Sequence, residues 1–275
     1  MDSILDVYRV ILWLCGVGLM VSTLEFWVIA PQFSPVGVYS WRVLQLRTTV
    51  LGGSRFESLF GEKGVRALIL VRLLALIEVL VTPLGSLAFS VGMGVLALSS
   101  LVFTWRRMYG DDGSDQMNTI VLTTLFLCVG PHSNPFILQA GLWFIALQAC
   151  LSYTSAGVAK WVSPIWRSGE AVYRIFNTGT YGLWPITRLL ERRRWLNLSL
   201  CWSVILVETL FPLALVLPPP FNWLFLAWGV LFHLQCAVIM GLNSFFWAFL
   251  ATYPAILYVA STLQTYLGIH SPLGR

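Results

Sequence analysis

Charge is what this chain has least of. Only 11% of its 275 residues are Asp, Glu, Lys or Arg, while 57% are hydrophobic, and an ordinary soluble domain carries about 25% charged residues. So little charge excludes a water-facing surface over most of the chain. A linker rich in Ser, Pro or charge is also lacking, so nothing divides residues 1–275 into more than a single domain. The five cysteines, Cys15, Cys128, Cys150, Cys201 and Cys236, all sit inside apolar runs without a C-x-x-C pair, which argues against a disulfide framework or a zinc site and for small core residues. The chain has no H-E-x-x-H, no G-x-S-x-G, no P-loop and no G-x-G-x-x-G after a strand, which removes the commonest hydrolase, metalloprotease and nucleotide-binding signatures.

What remains is long apolar runs. A membrane-crossing helix needs about 20 mostly apolar residues, and eight stretches qualify, at about 10–30, 67–82, 84–105, 118–131, 135–161, 196–217, 221–241 and 244–267. Several are separated only by turn sequences such as "TPLG", "GPHSNP" and "LPPPF", which imply antiparallel neighbours. The expected fold is an all-α polytopic membrane protein of about eight transmembrane helices. Asp2 and Asp6 stand where a secretory signal would be basic, and the run behind them exceeds a signal h-region, so the first helix is expected to be retained.

The formal charge of +5 is then read by loop. With eight crossings, Arg42, Arg47, Arg55, Lys63, Arg66, Arg106, Arg107, Arg167, Arg174, Arg188 and Arg192 to Arg194 collect on one side, against Arg9 and Arg275 on the other. The positive-inside rule assigns the basic side to the cytoplasm and leaves no role for nucleic acid. Within it, "GLWPITRLLERRRW" mixes Trp184, Leu189, Leu190 and Trp195 with arginines, the composition of a helix lying in the membrane interface. "DDGSDQ" at 111–116 gathers three carboxylates, suited either to a divalent ion or, with Ser114 or Asp115 as N-cap, to the start of the fourth span.

Glu25, Arg72, Glu78, Lys160, Glu208 and His233 lie within or at the ends of the apolar runs, where a charge costs at least about 2.5 to 3.5 kcal/mol. Arg72 and Glu78 are six residues apart on one helix and face different ways, which makes Glu25 and Glu208 the acids available to Arg72. These groups form either interhelical packing pairs or a polar cavity. In "SYTSAGVAKW", Ala156, Gly157 and Lys160 share a helical face, so the ammonium sits beside a groove of small residues. Lys160 either lines a pocket there, where a desolvated amine can serve as general base, or snorkels to the headgroups from the helix end.

From Tyr153 to Gly182 the sequence resembles the membrane domain of the vitamin K-dependent gamma-carboxylase-like superfamily, the HTTM domain family. The elements are Ala156-Gly157-x-x-Lys160, Trp166-x-x-Gly169, "GSDQ" before the fourth span, Glu208 followed by Pro212, and "AFLATYP". The resemblance implies a reduced quinone of vitamin K type as cofactor, Lys160 as the base that deprotonates it, and Ala156, Gly157, Trp166 and Gly169 at the cofactor; His233 and Glu208 join Lys160 as candidate catalytic groups from the set of ionisable residues within the apolar runs, His233 because its protonation can change near neutral pH. "DGSDQ" with "W-x-x-G-x-A-x-Y" is most similar to a bacterial branch associated with maturation of sporulation-delaying-type peptide toxins. That branch implies a bacterial cell membrane, an exported peptide and accessory maturation proteins as partners, and a quinol-dependent, carboxylase- or epoxidase-like activity. The alternative is non-enzymatic: a transporter, or a membrane chaperone or immunity protein, in which Lys160, Glu208 and His233 only bind or pack.

Overall fold

The computed structural model describes residues 2–46, 60–106 and 113–268. Every element among them is helical. Five segments are long and apolar enough to cross a membrane, namely Ser3–Phe33, Leu87–Arg106, Pro135–Val162, Phe221–Met240 and Asn243–Tyr266, and the chain is a membrane protein of all-α class on that ground. The other three expected spans fall on helices that are shorter or more charged. Glu62–Val81 carries Lys63, Arg66, Arg72 and Glu78, Gly113–Cys128 has 16 residues, and Arg194–Leu210 has 17. The helices fall into two compact units, Met1–Gly141 and Leu142–Arg275.

The first unit contains helices α1 (Asp2–Ile29), α2 (Trp41–Leu44), α3 (Glu62–Val81), α4 (Leu87–Arg106) and α5 (Gly113–Cys128), and the beginning of α6 (Pro135–Val162). α3 and α4 are joined by a turn in which Gly85 takes φ +80°, a conformation that disfavours any side chain. Against the α3 side, Gly92 of α4 leaves room for the Glu78 carboxylate, which a Cβ there would overlap. Phe26, Phe33, Val65, Ile69 and Phe103 form one buried cluster, and Trp41, Leu44 and Phe60 form another. Arg106 is fully buried beside both. Its Nε donates to the Phe60 carbonyl at 2.9 Å and its Nη2 to the Tyr39 carbonyl at 2.6 Å, while its guanidinium lies 4.9 Å from the Phe33 ring.

Arg72 is buried too, 5.2 Å from the ring of Phe103, and lines a pocket of about 20 Å³ together with Asp115 and Asn118. Asp115, a residue whose sequence context suggested a cap, lines the same pocket. α5 begins at Gly113, so Ser114 and Asp115 lie in its first turn rather than ahead of it. Asp111 and Asp112 lie outside the described residues. Among the described residues no group of three His, Cys, Asp or Glu side chains is placed to hold a metal ion. All five cysteines are free thiols.

The second unit begins within α6 and contains α7 (Pro164–Arg167), α8 (Ala171–Phe176), α9 (Trp184–Arg192), α10 (Arg194–Leu210), α11 (Leu213–Val216), α12 (Phe221–Met240), α13 (Asn243–Leu250) and α14 (Tyr253–Tyr266). α10 stops where Pro212 approaches, because proline has no N–H to donate and clashes with the preceding turn. The segment expected to form one interfacial helix is broken at Arg193, whose ψ of 72° is not helical. Trp195 therefore belongs to α10. α9 keeps the amphipathic character: Trp184 and Leu189 are exposed, Leu190 is buried, and the Arg188 guanidinium stacks 3.8 Å from the Trp184 ring. α12 ends on Gly241 at φ +72°, a left-handed C-cap.

Candidate functional site

The site is built from the last turns of α6. Tyr153, Ala156, Gly157 and Lys160 stand at i, i+3, i+4 and i+7, one stripe of an α-helix. Gly157 is the point of closest approach to α10: a Cβ there would lie 2.5 Å from the backbone nitrogen of Thr209 and 2.9 Å from the carbonyl carbon of Glu208. Only glycine lets the two backbones meet in this way. One turn further on, that proximity delivers the Lys160 Nζ to 2.7 Å from Glu208 Oε2. The same nitrogen lies 3.5 Å from the Ala156 carbonyl and 5.3 Å from the centre of the Trp166 ring. Of the two placements open to Lys160, the structure shows the inward one.

Lys160 and Glu208 form part of the wall of a cavity of about 500 Å³ that lies wholly within the second unit. Ala156, Trp166 and His233 line it with them, so five of the seven residues singled out in the sequence meet at one place. The remaining two have other work. Gly157 serves the contact between α6 and α10, and Gly169, at φ +79°, turns the chain between α7 and α8 against the backbone of Leu198. Neither lines the cavity. Most of the remaining wall is apolar, including Val204, Leu231, Phe232 and Phe249, with Ser152, Ser203 and Gln235 among the polar exceptions.

A second polar point joins His233, which the sequence had singled out, to two tyrosines that it had not. The Tyr153 hydroxyl lies 2.7 Å from His233 Nε2 and 2.8 Å from the hydroxyl of Tyr253, forming a chain of three buried groups from α6, α12 and α14. Gly229, one turn before His233, makes it possible, since a Cβ at that position would overlap the Tyr253 hydroxyl. Rings hold the chain on both sides: Phe211 stacks on Tyr153 at 3.8 Å, and Phe249 stacks on His233 at 4.5 Å. Two weak signals for these residues were present. Tyr153 belongs to the same helical stripe as Lys160, and Gly229-x-x-x-His233 places a missing side chain beneath the imidazole. Nothing local pointed to Tyr253.

The fold and the cavity together define the class, an all-α integral membrane protein with a mostly apolar pocket carrying two separate polar points. No family profile, curated protein or solved structure matches the chain.

Proposed function

We propose that the second unit binds a membrane-soluble ligand of quinone type, and that the protein acts with it in maturing an exported peptide in a bacterial cell membrane. The supporting observation is the Lys160–Glu208 pair in the wall of an apolar cavity. Such a cavity, with a few convergent polar groups, is the usual form of a small-molecule site. Its volume and its flat aromatic walls suit a fused-ring ligand, and Trp166 and Phe249 offer stacking surfaces. The likeness to the HTTM and carboxylase-like domains supplies the peptide and its accessory proteins. On this reading the chain crosses the membrane eight times, α9 lies in the interface, and its arginines face the cytoplasm.

A bound quinol supplies a hydroxyl group whose proton can be removed. Lys160 and Glu208 form an acid–base couple across 2.7 Å, short enough to pass a proton from Nζ to the carboxylate and leave an amine able to accept another. The Trp166 ring lies beside the ammonium, 5.3 Å from Nζ to its centre, and adds a cation–π contact.

The test is Lys160→Ala and Lys160→Arg at equal protein level, scored by peptide maturation in the native host and by binding of a short-chain naphthoquinol to protein in nanodiscs. Loss of maturation in both variants fits the base role. Retention by Lys160→Arg rules it out, because arginine keeps the charge but cannot deprotonate.

A second reading is favoured by the same ion pair, since a lysine that closes its charge on a buried glutamate is also what a purely structural interhelical pair looks like. The protein is then a transporter, chaperone or immunity protein. Movement of a labelled peptide into liposomes holding the purified protein, with no quinol present, selects this reading.

A further inference from the structure

α9 carries its charge on one face. Arg188 and Arg192 follow Trp184 at i+4 and i+8, so the three share a stripe of the helix, and Leu190, two residues from each arginine, lies on the opposite side. The packing shows which side meets protein. Leu190 is buried and Thr187 Oγ1 donates to the Phe176 carbonyl of α8 at 2.7 Å, so the helix is fixed on α8 with its arginines turned outward. Arg188, Arg192, Arg193 and Arg194 are all exposed. Among the described residues none of the four is paired with an acid, although Glu191 stands between them in the chain.

Such a patch is complementary to an anion, and its surroundings point to the kind. Trp184 at one edge of the stripe, Leu189 at the other and Trp195 just beyond are exposed and apolar, a surface matched to a molecule with both phosphate and hydrocarbon parts rather than to a water-soluble polyanion. α10, one of the spans in the eight-crossing reading, starts at Arg194, so the arginines stand where a membrane helix leaves the bilayer, the place at which basic residues bind anionic headgroups. We infer that α9 and the Arg193–Arg194 junction form a binding site for an anionic phospholipid, its phosphate on Arg188 and Arg192 and its chains against Trp184 and Leu189. The Arg188 guanidinium lies flat on the Trp184 ring at 3.8 Å, and a planar guanidinium offers phosphate two parallel N–H donors. None of these residues lines the cavity, so the lipid site is separate from it. The assignment rests on α9 lying in the membrane interface, as proposed above, and on nothing proposed for the ligand of the cavity.

Native mass spectrometry of the full chain in neutral detergent tests it by counting bound phosphatidylglycerol and phosphatidylcholine of matched chains. The first phosphatidylglycerol is expected to bind at least about fivefold tighter, the contribution of one arginine beside an anionic headgroup. Arg188→Gln combined with Arg192→Gln removes the preference, and Glu191→Gln enlarges it, a gain that a misfolded variant does not mimic. Glycerophosphoglycerol, the same headgroup without chains, is expected to leave the lipid bound; displacement at the lipid's own concentration overturns the lipid in favour of a soluble anion. In parallel, an environment-sensitive fluorophore on Leu189→Cys in phosphatidylcholine nanodiscs, with the labelled parent chain as background for its five cysteines, reports where α9 lies. Lipid-like emission together with equal binding of the two lipids, or with a preference unchanged in the double arginine variant, overturns the anionic-lipid site and leaves α9 in the interface. Water-like emission overturns both.

Discussion

Lys160 Nζ and Glu208 Oε2 meet at 2.7 Å across the contact of α6 and α10, with the glutamate side chain only 4% exposed and the lysine 20%. The two residues lie 48 positions apart, and the glycine three residues before the lysine is what lets their helices touch. The charge on one depends on the presence of the other. Removing the lysine leaves a carboxylate in an apolar wall, and removing one partner of a buried pair costs about 3 to 5 kcal/mol.

That dependence makes the pair separable by thermal unfolding in detergent. Lys160→Met alone is expected to lower stability by about 3 kcal/mol, whereas Lys160→Met combined with Glu208→Leu recovers most of the loss, because an apolar pair of similar volume has no charge to desolvate. If the double variant is as unstable as the sum of the two single ones, the residues do not act as a pair.

Gly157→Ala tests the helix contact itself. The added methyl meets backbone of α10, which cannot move aside like a flexible side chain, so the variant is expected to lose about 1 to 3 kcal/mol. Gly179→Ala provides the comparison, since nothing lies within 4 Å of a Cβ there, and its melting temperature should stay near that of the parent.

Gly229→Ala tests the tyrosine–histidine chain. A methyl at position 229 overlaps the Tyr253 hydroxyl, so the variant is destabilised by about 1 to 3 kcal/mol. Adding Tyr253→Phe removes the overlapping oxygen. The double variant is therefore expected to be more stable than Gly229→Ala alone, even though Tyr253→Phe by itself destabilises. Simple additivity in that cycle would show that residue 229 does not report on the hydroxyl chain.

In the first unit, Arg106 donates to two backbone carbonyls 46 and 67 residues away and stacks beside Phe33 and Trp41. Lysine cannot reproduce that fork of donors or the stacking, so Arg106→Lys should cost about 2 to 3 kcal/mol despite conserving charge. Urea or thermal unfolding of the purified protein measures it, and a loss under 0.5 kcal/mol, the ordinary range for surface substitutions, would show the guanidinium to be dispensable.

Much of the architecture could be read from local pattern. Pro135 and Asn134 mark the start of α6, the asparagine side chain accepting the Ile137 N–H at 3.0 Å, and the helix was expected over nearly the same residues. Pro212 and Arg193 show the limit of hydropathy. An apolar run of residues 196 to 217 looks like one span, but the missing proline N–H ends α10 at Leu210 and starts a separate turn of helix. In the same way, charge on α3 and shortness of α5 separate them from the five helices that meet the length and hydropathy of a membrane span.

The amino-acid order alone determined that this protein is built from apolar helices and that Lys160 lies on a stripe of small residues, because helix formation and amphipathic faces depend on neighbours three and four positions away. Which acid meets that lysine, and that Tyr153, His233 and Tyr253 join hydroxyl to imidazole, only the tertiary structure decided. Those contacts link residues 48, 80 and 100 positions apart. No periodicity carries such a pairing; it arises where glycines at 157 and 229 let helix backbones and ring hydroxyls come close enough for short-range hydrogen bonds to form.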